Sequence, residues 1–511
     1  MVKKYDAVVI GAGNGGLTAA ARLAKEGKKV ALLEQHNMPG GFATSFVRGR
    51  FEFEPSLHEL CDFGSSEKPG AVRELFDDLG VSLEWCSISE AFRTILTDDS
   101  HKKDFTMPFG TKAFVDKMEE YVPGSRESTE KFVKLCEDMD RAVSYMTASS
   151  GKVDPKVMQK EHANFLKCAP YSVTQVLDAL KMPKKAQEIL GAYWCYIGVD
   201  LERLSFFFYA IMVYKYLVGG AHIPKNRSHA ISVALADRIL ELGGEIYCNT
   251  RAEKILMKGK KPYAVKTSRG IMETEHIICC CSPHAVFGDM MDASSVPEAQ
   301  RRSVNSREFG MRGFVAYVGL NKSPEELGLK DYSYFIYGSM DTVEECRRVG
   351  RIETNDIQAT TCLNIANPGC SPEGTTIMSF TTFYNSDVWD KATEENYMDM
   401  KRKAAEKMFE NFAKATGVDV RPYIEEIEIA SPLTMARYTL NPKGVMYAYA
   451  GNEWDGLLAR LMMIEEDQLV PNIRFAGAYG PRSIGFSSTY IGGDLAAQLT
   501  LGDMKEEKIN V

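Results

Sequence analysis

The sequence predicts an α/β fold in which a buried parallel sheet is assembled from separate parts of the chain. One observation is the opening segment 5–34, YDAVVIGAGNGGLTAAARLAKEGKKVALLE, whose pattern is apolar strand, glycine-rich turn, helix and apolar strand. The other is that apolar strand patterns recur at 276–281, HIICCC, and at 473–477, IRFAG. The long insertions between them contain helix patterns and alternating runs such as GFVAYVGL at 313–320, which predict a second part of mixed sheet and helices.

Composition excludes several classes of protein. The 511 residues carry 61 basic and 69 acidic side chains, a net charge of -8, which argues against a nucleic-acid partner. The 12 cysteines form no CxxC pair, and Cys279, Cys280 and Cys281 alternate in an apolar run, as small buried side chains do. We therefore predict no metal site. Met1 leads directly into a strand pattern without a secretory signal, so we expect a cytoplasmic protein.

The opening turn has the spacing of a dinucleotide-binding turn between its two strands. Gly11 allows the tight turn, Gly13 lets a pyrophosphate approach the backbone, and Gly16 lets the helix pack on the strand. We assign these glycines and Ala12 to cofactor binding, with the helix N-terminus facing the phosphates. Glu34, at the end of the second strand, is placed to accept from the ribose hydroxyls, which disfavours NADP.

The residues after Glu34 distinguish a resident flavin from a passing nicotinamide nucleotide. They include PGGFATSFVRGRFEFE, with Gly40, Gly41 and Thr44. This stretch resembles the extension of FAD enzymes with two dinucleotide-binding domains and, more narrowly, the phytoene desaturase family, which includes carotenoid isomerases and retinol saturases. The resemblance implies bound FAD, with the paired glycines and Thr44 close to its pyrophosphate and ribitol. The plain alternative is that Gly40 and Gly41 only make a turn.

Two later segments resemble parts of the same family that return to the flavin. In AEKI, starting at Ala252, the resemblance implies backbone contact with the adenine. In NIRFAGAYGPRSIGFSSTYIGG, it implies flavin contacts at Gly477, Gly485 and Ser488. A helix starting near Ser488 or Thr489 would stabilise negative charge on reduced flavin. The alternative is a strand, loop and helix without a ligand.

The resemblance implies a discontinuous FAD-binding domain and a separate substrate domain. The FAD-binding domain is expected over 1–89, 221–299 and 441–511, and the substrate domain over 90–220 and 300–440. Two departures concern the contacts with flavin and substrate. The family's P-x-G-G is replaced here by HIPKNRSHAIS, and no acidic residue follows the AG of IRFAG.

Candidates for proton transfer are few. Glu54 and His58 follow the flavin extension, and Tyr479 lies in the loop after IRFAG. Burial would raise the pKa of Glu54 enough for it to act as an acid. All three residue types also occur as structural hydrogen-bond partners, and that interpretation stays open.

The aromatic segment 205–220, SFFFYAIMVYKYLVGG, has two interpretations. It is too short to span a membrane, so it is either a core helix or the wall of an apolar substrate tunnel, in which Phe207 would line the path. The length favours a core helix.

Three functions are compatible with these features. The first is an FAD-dependent oxidoreductase acting on carbon–carbon double bonds of a lipophilic polyene, retinoid or unsaturated lipid, by desaturation, saturation or cis–trans isomerisation. The second is an amine-oxidase-like flavoenzyme, and the third is a flavin-free lipid-binding escort protein on the same fold. The first implies a lipophilic substrate, NAD(P)H or another electron donor, and peripheral contact with a membrane as candidate partners.

Overall fold

The computed structural model describes residues 3–97, 103–149, 152–385, 387–452, 455, 457–462, 469–482 and 484–509. The strands in these residues are β1 (Lys3–Lys4), β2 (Ala7–Ile10), β3 (Val30–Leu33), β4 (Phe46–Arg48), β5 (Phe51–Phe53), β6 (Trp85–Ser87), β7 (Phe92–Leu96), β8 (Lys103–Met107), β9 (His222–Pro224), β10 (Glu245–Tyr247), β11 (Ala252–Lys258), β12 (Lys261–Thr267), β13 (Gly270–Glu273), β14 (Ile277–Cys279), β15 (Arg312–Leu320), β16 (Ser333–Tyr337), β17 (Gln358–Cys362), β18 (Thr376–Tyr384), β19 (Ile424–Ala430) and β20 (Ile473–Phe475).

The α-helices in the same residues are α1 (Asn14–Lys25), α2 (Ala71–Leu79), α3 (Thr111–Tyr121), α4 (Arg126–Ala148), α5 (Pro155–Glu161), α6 (Ala163–Cys168), α7 (Val173–Ala179), α8 (Lys184–Leu190), α9 (Phe206–Gly219), α10 (Arg227–Glu241), α11 (Glu298–Asn305), α12 (Pro324–Leu327), α13 (Thr342–Arg348), α14 (Leu363–Ala366), α15 (Tyr397–Thr416), α16 (Pro432–Thr439), α17 (Leu457–Met462) and α18 (Phe486–Ile509). Short 3-10 turns lie at Gly191–Tyr196, Ala293–Ser295, Pro368–Cys370, Trp389–Lys391, Arg421–Tyr423, Pro442–Gly444 and Gly477–Tyr479, and a π-helical turn at Ala285–Met290.

A five-stranded parallel sheet in the order β10-β3-β2-β14-β20 joins segments that are remote in sequence. In its centre Val8 pairs with Ala31 on one side and with Ile277 on the other, and Ile277 pairs in turn with Ile473. β2, β3 and β14 are apolar and fully buried, as strands covered on both faces of a parallel sheet should be. The predicted α/β fold class is confirmed.

Glycines allow the helices to approach this sheet and one another. A Cβ built on Gly16 of α1 would lie 1.9 Å from the carbonyl oxygen of Gly11, and one on Gly15 would lie 2.2 Å from the amide nitrogen of Gly477. A Cβ on Gly493 of α18 would lie 2.3 Å from the carbonyl oxygen of Gly15. No larger residue fits at these positions. The backbone of α1 is therefore in contact with the glycine-rich turn, with α18 and with the loop after β20.

A second, seven-stranded mixed sheet has the order β19-β15-β18-β17-β16-β7-β8. Its central strands β15 and β18 are buried along their whole length. α15 covers one face, where Phe380 of β18 meets Phe409 and Phe412 edge-on at ring distances of 5.1 and 5.3 Å. On the other face Phe335 of β16 packs against Tyr193, so aromatic side chains cover both faces of the sheet.

The remaining sheets are smaller. One has four strands in the order β1-β13-β12-β11, and two have two strands each, β4-β5 and β6-β9. The seven-stranded sheet takes β7 and β8 from the first long insertion and β15–β19 from the second. The division of the chain into two domains at the residues given above stays a prediction.

α9, formed by the aromatic segment, is a core helix. Phe207 has no exposed surface, and its ring packs edge-on against Phe165 of α6 at 5.1 Å. Among the helices described, none is long and apolar enough to cross a membrane. The interpretation in which Phe207 lines a substrate path is therefore wrong, because this side chain is enclosed by other core residues.

The three adjacent cysteines also fit the core interpretation. Cys279 is buried at the end of β14, whereas Cys280 and Cys281 are half-buried, and all three are free thiols. The described residues contain no group of His, Cys, Asp and Glu side chains placed to hold a metal ion.

Candidate functional site

The glycine-rich turn forms a cradle at the N-terminus of α1. Gly11 has φ +95°, and Gly13, the N-cap residue, leaves the first helical amides without a side-chain cap. A Cβ on Gly13 would meet only the sulfur of Cys280, at 3.7 Å. Uncapped amides, the positive end of the helix dipole and open space beside a glycine are what a pyrophosphate requires.

Asn14 gives a second indication of a ligand at this cradle. Its side-chain nitrogen donates to Thr489 Oγ1 at 3.4 Å, while its buried Oδ1 lacks a partner among the described residues. A buried amide oxygen without a donor is costly, and a hydroxyl-bearing ligand would supply one. The residues of the turn therefore fit a dinucleotide.

Glu34 is buried at the carboxyl end of β3. One carboxylate oxygen accepts from the backbone amide of Ala12 at 2.8 Å and the other from that of His36 at 2.9 Å. Two bonds leave further lone pairs for a ribose. The amide of Thr250 donates to the Glu34 carbonyl at 2.7 Å, which brings Ala252, the first residue of β11, to the same end of the sheet.

The paired glycines of the flavin extension lie against the turn. The Gly40 amide donates to the Ala12 carbonyl at 2.7 Å, and a Cβ on Gly41 would lie 3.1 Å from the Cα of Gly13. Gly40 and Gly41 have φ values of +132° and +61°, which favour glycine. Thr44 continues the segment, with its hydroxyl 3.4 Å from the Gly41 carbonyl. The structure thus brings these glycines together, while their contacts with a flavin stay a prediction.

The carboxy-terminal segment closes the cradle from the other side. A Cβ on Gly477 would lie 3.0 Å from the sulfur of Cys280, and Gly485 precedes α18 with φ +100°. α18 begins at Phe486, slightly earlier than predicted, and Ser488 lies in its first turn. The neighbouring Ser487 hydroxyl donates to the Cys61 carbonyl at 2.6 Å, so the start of α18 adjoins the end of the flavin extension.

Aromatic side chains lie beside this segment. The Tyr332 hydroxyl donates to the His58 carbonyl, and a few residues further along, Phe335 of β16 meets Tyr196 edge-on at a ring distance of 5.2 Å. Tyr196 stacks in turn on Tyr193, and the three rings of Tyr193, Tyr196 and Phe335 form an aromatic wall.

The predicted proton-transfer residues have separate environments. Glu54 is buried and accepts from the amide and the hydroxyl of Ser228 at 2.7 and 2.6 Å. Burial raises its pKa to about 7. Burial lowers the pKa of His58 to about 4, so its imidazole is neutral, and its Nε2 has no partner among the described residues. Tyr479 donates to Asn441 Oδ1 at 3.3 Å and packs edge-on against Tyr449.

Comparison with known proteins assigns the family. Residues 15–498 match the family described as flavin containing amine oxidoreductase. The chain belongs to this family. It is 25% identical over 476 residues to an all-trans-retinol 13,14-reductase of Danio rerio, covering 86% of this chain and 77% of the relative.

Two further proteins are similar to this chain. A chloroplastic prolycopene isomerase of an Oncidium hybrid is 21% identical over 467 residues, which cover 86% of this chain and 75% of the isomerase. The crystal structure of an oxidoreductase from Methanosarcina mazei has a TM-score of 0.65 at 15% identity, with 98% of this chain and 100% of that chain covered. The latter shows a shared fold.

Membership of the family makes this chain an FAD-dependent oxidoreductase, in agreement with the resemblance drawn from the sequence. FAD is the cofactor, and the uncapped turn, the unpartnered Asn14 oxygen and the glycine cradle fit it. The alternative of a flavin-free escort protein is therefore set aside.

Sequence reasoning did not single out Glu59, a buried carboxyl group on the segment that leads to the start of α18. It is buried, and it accepts from the hydroxyl of Ser333 on β16. Burial raises its pKa to about 8, and the neighbouring Glu90 carboxylate adds to the effect. Its other oxygen, Oε2, is buried without a hydrogen-bond partner among the described residues. Nothing in SLHEL indicates this environment, because Ser333 and Glu90 come from distant segments.

Proposed function

We propose that the chain acts at carbon–carbon double bonds of a lipophilic polyene, retinoid or unsaturated lipid, by saturation, desaturation or cis–trans isomerisation. The observation that carries this proposal is the aromatic wall, which β16 joins to the segment 58–61 that meets the start of α18. The named activities of the reductase and the isomerase described above support the same substrate class.

The aromatic wall suits contact with an extended apolar molecule. Tyr196 stacks on Tyr193 at a ring distance of 5.5 Å and meets Phe335 edge-on at 5.2 Å. Further along, Tyr447 stacks on Phe383 at 5.4 Å. Aromatic faces give large apolar contact with few rotatable bonds, which favours a rigid conjugated chain over a flexible polar substrate.

Bound FAD supplies the acceptance or donation of hydride in this family of reactions. The residues of this chain have the remaining tasks. The glycines of the turn bring the α1 amides to the pyrophosphate, and Glu34 fixes the turn through the Ala12 amide. The aromatic wall excludes water from the reacting carbons, and a protein acid or base provides the accompanying proton.

Oxidation of an amine is the second candidate, since the family takes its name from it. Near the start of α18, a cationic side chain is available at Lys215, but its ammonium group pairs with Asp62 and Asp140, both at 3.0 Å. A lysine held by two carboxylates is fully charged and is not free to act as a base. The wall of tyrosine and phenylalanine rings therefore favours the double-bond chemistry.

The proposal also includes where the protein is located and which donor reduces its flavin. We place the protein in the cytoplasm, in peripheral contact with a membrane from which a lipophilic substrate can enter. NAD(P)H or another donor would reduce the flavin for saturation or for isomerisation by reduced flavin.

An anaerobic spectral assay tests the proposal. The purified protein should hold FAD non-covalently, and its oxidised flavin band should bleach with a polyene, retinoid or unsaturated lipid that it desaturates. Protein first reduced with dithionite should regain the band with a substrate that it saturates, and should isomerise a cis-polyene without regaining it. Bleaching by primary amines alone would establish the amine-oxidase function instead.

Gly13→Val and Glu34→Ala test the assignment of the flavin to this cradle. The valine side chain would occupy the space beside the α1 amides, and the alanine would remove the acceptor for the Ala12 amide. Both variants should lose FAD on gel filtration, the valine variant more completely. Unchanged flavin content in both would place the cofactor elsewhere.

A further inference from the structure

We propose that the outward face of α16 is the surface by which the protein docks on a phospholipid membrane, with Leu433 and Leu440 inserted among the headgroups and Arg437 bound to their phosphates. This inference rests on the proposed function, in which a lipophilic substrate enters from a membrane. It names the surface that meets that membrane.

Large apolar side chains are concentrated on the surface of α16 and at its end. Leu433 is 42% exposed, Tyr438 is 58% exposed and Leu440 is 45% exposed. No other stretch of eight residues in the described parts of the chain has three large apolar side chains that are exposed to this extent. Single exposed apolar side chains are ordinary, whereas a contiguous group indicates a surface that another apolar body covers.

The spacing along α16 brings two of these side chains to one side of the helix. Leu433 and Leu440 are seven residues apart and Arg437 lies between them, so the helical repeat places all three on the same side, where all are exposed. On the opposite side Met435 is buried in the core. The helix therefore has one apolar face toward the protein and a second one, with a guanidinium group at its centre, toward the outside.

Leu440 is unfavourable in water in two ways. As the C-cap residue of α16 it has φ +54°, a left-handed conformation that favours glycine and is rare for a bulky residue. Its side chain is also nearly half exposed. A leucine that is both strained and uncovered does not stabilise the folded chain in water, but its insertion into an apolar layer would offset these costs.

α15 adds a fourth apolar side chain beside this face. The Tyr397 hydroxyl contacts the hydroxyl groups of Ser431 and Thr434 at 2.8 and 3.3 Å, which holds the start of α15 next to the start of α16. The residue that follows, Met398, is 67% exposed. The apolar surface therefore extends from α16 to the neighbouring helix.

The charges on this face suit phosphate groups. Between residues 432 and 444 the only charged side chains are those of Arg437 and Lys443. Arg437 has no ion pair within the described residues, whereas Lys443 pairs with Asp390 at 3.0 Å. Asp399, next to Met398, is paired with two cations of its own helix. An unpaired guanidinium group between two leucines can bind a phosphate while its stem stays in apolar contact.

A segment of α10 with the same spacing shows why the charge decides the occupant. Val233 and Leu240 are also seven residues apart and are 41% and 53% exposed. Asp237, an exposed carboxylate, stands where α16 has Arg437. Phosphate groups would repel this carboxylate and attract the guanidinium group. Of the two faces, only that of α16 is complementary to a phospholipid surface.

A second copy of this chain is a less suitable occupant. A stable dimer buries about 800 Å² on each partner. The apolar part of this face consists of four side chains, each of them partly covered by the protein. The headgroup layer of a membrane accepts so small an apolar surface, and tyrosine, here Tyr438, is favoured in that layer.

The turn after α16 connects this face to the flavin site. Tyr479, in the loop after β20, donates to Asn441 Oδ1 at 3.3 Å. Further along, Tyr447 stacks on Phe383 of the seven-stranded sheet at a ring distance of 5.4 Å. A membrane in contact with α16 would therefore lie beside the segment that leads to the loop of the cradle.

Vesicle binding of the FAD-loaded protein tests this surface. We expect the wild type to co-sediment with vesicles of phosphatidylcholine, and more strongly with vesicles of equal parts phosphatidylcholine and phosphatidylglycerol. Leu433→Ser/Leu440→Ser should weaken binding to both by about 10-fold or more, because two apolar side chains no longer leave water. Arg437→Glu should weaken binding to the phosphatidylglycerol vesicles by about 10-fold, and to phosphatidylcholine alone by less.

Val233→Ser/Leu240→Ser is the matched control on α10. It removes two apolar side chains of similar exposure at the same spacing, so it should bind both kinds of vesicle as the wild type does. An equal loss of binding in this control would overturn the assignment to α16.

Leu440→Gly separates docking from folding. Glycine adopts the left-handed conformation without strain, so the midpoint of thermal unfolding should stay the same or rise. Vesicle binding should nevertheless fall by about 3-fold or more, because the apolar side chain is gone. A variant of unchanged stability and unchanged vesicle binding would show that Leu440 does not insert.

Two further results would overturn the docking surface. One is a wild type that binds neither kind of vesicle, or that binds no better than Leu433→Ser/Leu440→Ser. The other comes from sedimentation velocity without vesicles: a dimer that this double variant dissociates would show that the face joins two copies of the chain.

The docking surface and the proposed function can fail separately. With substrate dispersed in detergent, the wild type and the α16 variants should react equally fast, as followed by the flavin band, whereas with substrate in vesicles the variants should be slower. A wild type that reacts in detergent but binds no vesicle would refute the docking surface and leave the function standing. A wild type that binds vesicles through α16 but is inert toward every polyene, retinoid and lipid would refute the function alone.

Discussion

Glu54 and Glu59 lie on the same short segment after β5, and both are buried, yet their surroundings differ. Glu54 accepts from the amide and hydroxyl of Ser228, at the start of α10, and from the amide of Leu57 at 3.2 Å. Glu59 accepts only from Ser333 and faces Glu90, and its second oxygen is unpartnered among the described residues. Burial alone therefore does not identify a functional carboxylate.

The difference has a physical cause. A carboxylate that accepts from several donors at a helix N-terminus is stabilised in its charged form, which partly offsets the effect of burial. Accordingly the pKa of Glu54 is raised to about 7, and that of Glu59, which lacks such donors, to about 8. Glu54 anchors α10 to the flavin extension, whereas Glu59 keeps capacity for a proton.

The largest expected effect is that of Glu54→Ala on stability. It removes the acceptor of three buried donors, of which the amides of Ser228 and Leu57 have no replacement while the Ser228 hydroxyl keeps its bond to the Thr44 carbonyl, and each unsatisfied amide costs about 1–3 kcal/mol. We expect the free energy of unfolding to fall by about 3–5 kcal/mol, measured by urea denaturation at pH 6. Glu59→Ala, with one donor lost, should cost clearly less. Equal losses in the two variants would mean that the bonds of Glu54 do not anchor α10.

The pH dependence of stability should show both carboxyl groups. Their folded-state pKa values, about 7 and about 8, lie above the ordinary value of 4.5, so the folded protein binds more protons between these limits. Stability should therefore fall as pH rises from 4.5 toward 8, by up to about 1.4 kcal/mol per pH unit for each group.

Glu59→Gln separates the two contributions to that slope. It should remove about half of the fall between pH 5 and 7, where both groups contribute, and most of the fall that remains between pH 7 and 8, where Glu54 becomes ionised. Urea unfolding at several pH values from 5 to 8.5 gives the slopes directly. A slope identical to that of the wild type would assign Glu59 an ordinary pKa.

Two serine variants sharpen the comparison with smaller effects. Ser228→Ala removes one of several donors to Glu54, and Ser333→Ala removes the hydroxyl that Glu59 accepts from. Each should cost about 1–2 kcal/mol of stability in thermal or urea unfolding. They should differ in titration, since only Ser333→Ala should raise the pKa of the Glu59 carboxyl group, which infrared difference spectra against pH can follow.

His58→Phe should have the smallest effect at neutral pH. The imidazole is buried and neutral, and no hydrogen bond of its Nε2 is lost among the described residues. We expect a change within about 1 kcal/mol at pH 7. Because the folded-state pKa is about 4 against 6.5, wild-type stability should fall as pH drops through this range, and the variant should lose that component. A full loss of folding at pH 7 would contradict this.

The sequence by itself determined the nucleotide-binding part of this protein. Gly11 and Gly16 have a fixed local spacing, because each meets a steric demand of a strand, turn and helix adjacent in sequence, and Gly13 between them leaves open the space beside the α1 amides. Gly40 and Gly41, the paired glycines after Glu34, showed the resemblance to flavin enzymes for a similar reason, because both positions require a backbone conformation that favours glycine. Conformational demands on neighbouring residues are visible in a sequence, and so the fold class and the cofactor could be predicted.

Only the tertiary structure decided the rest. Glu54, His58 and Tyr479 were chosen for their residue type, but their partners come from other segments, so their surroundings could not be predicted. Glu59 and Ser333 meet because β16 lies beside the flavin extension, and that contact joins residues far apart in sequence. The same holds for Phe207, whose burial depends on α6. The pKa of a side chain depends on what surrounds it in space, and sequence distance carries no information about that.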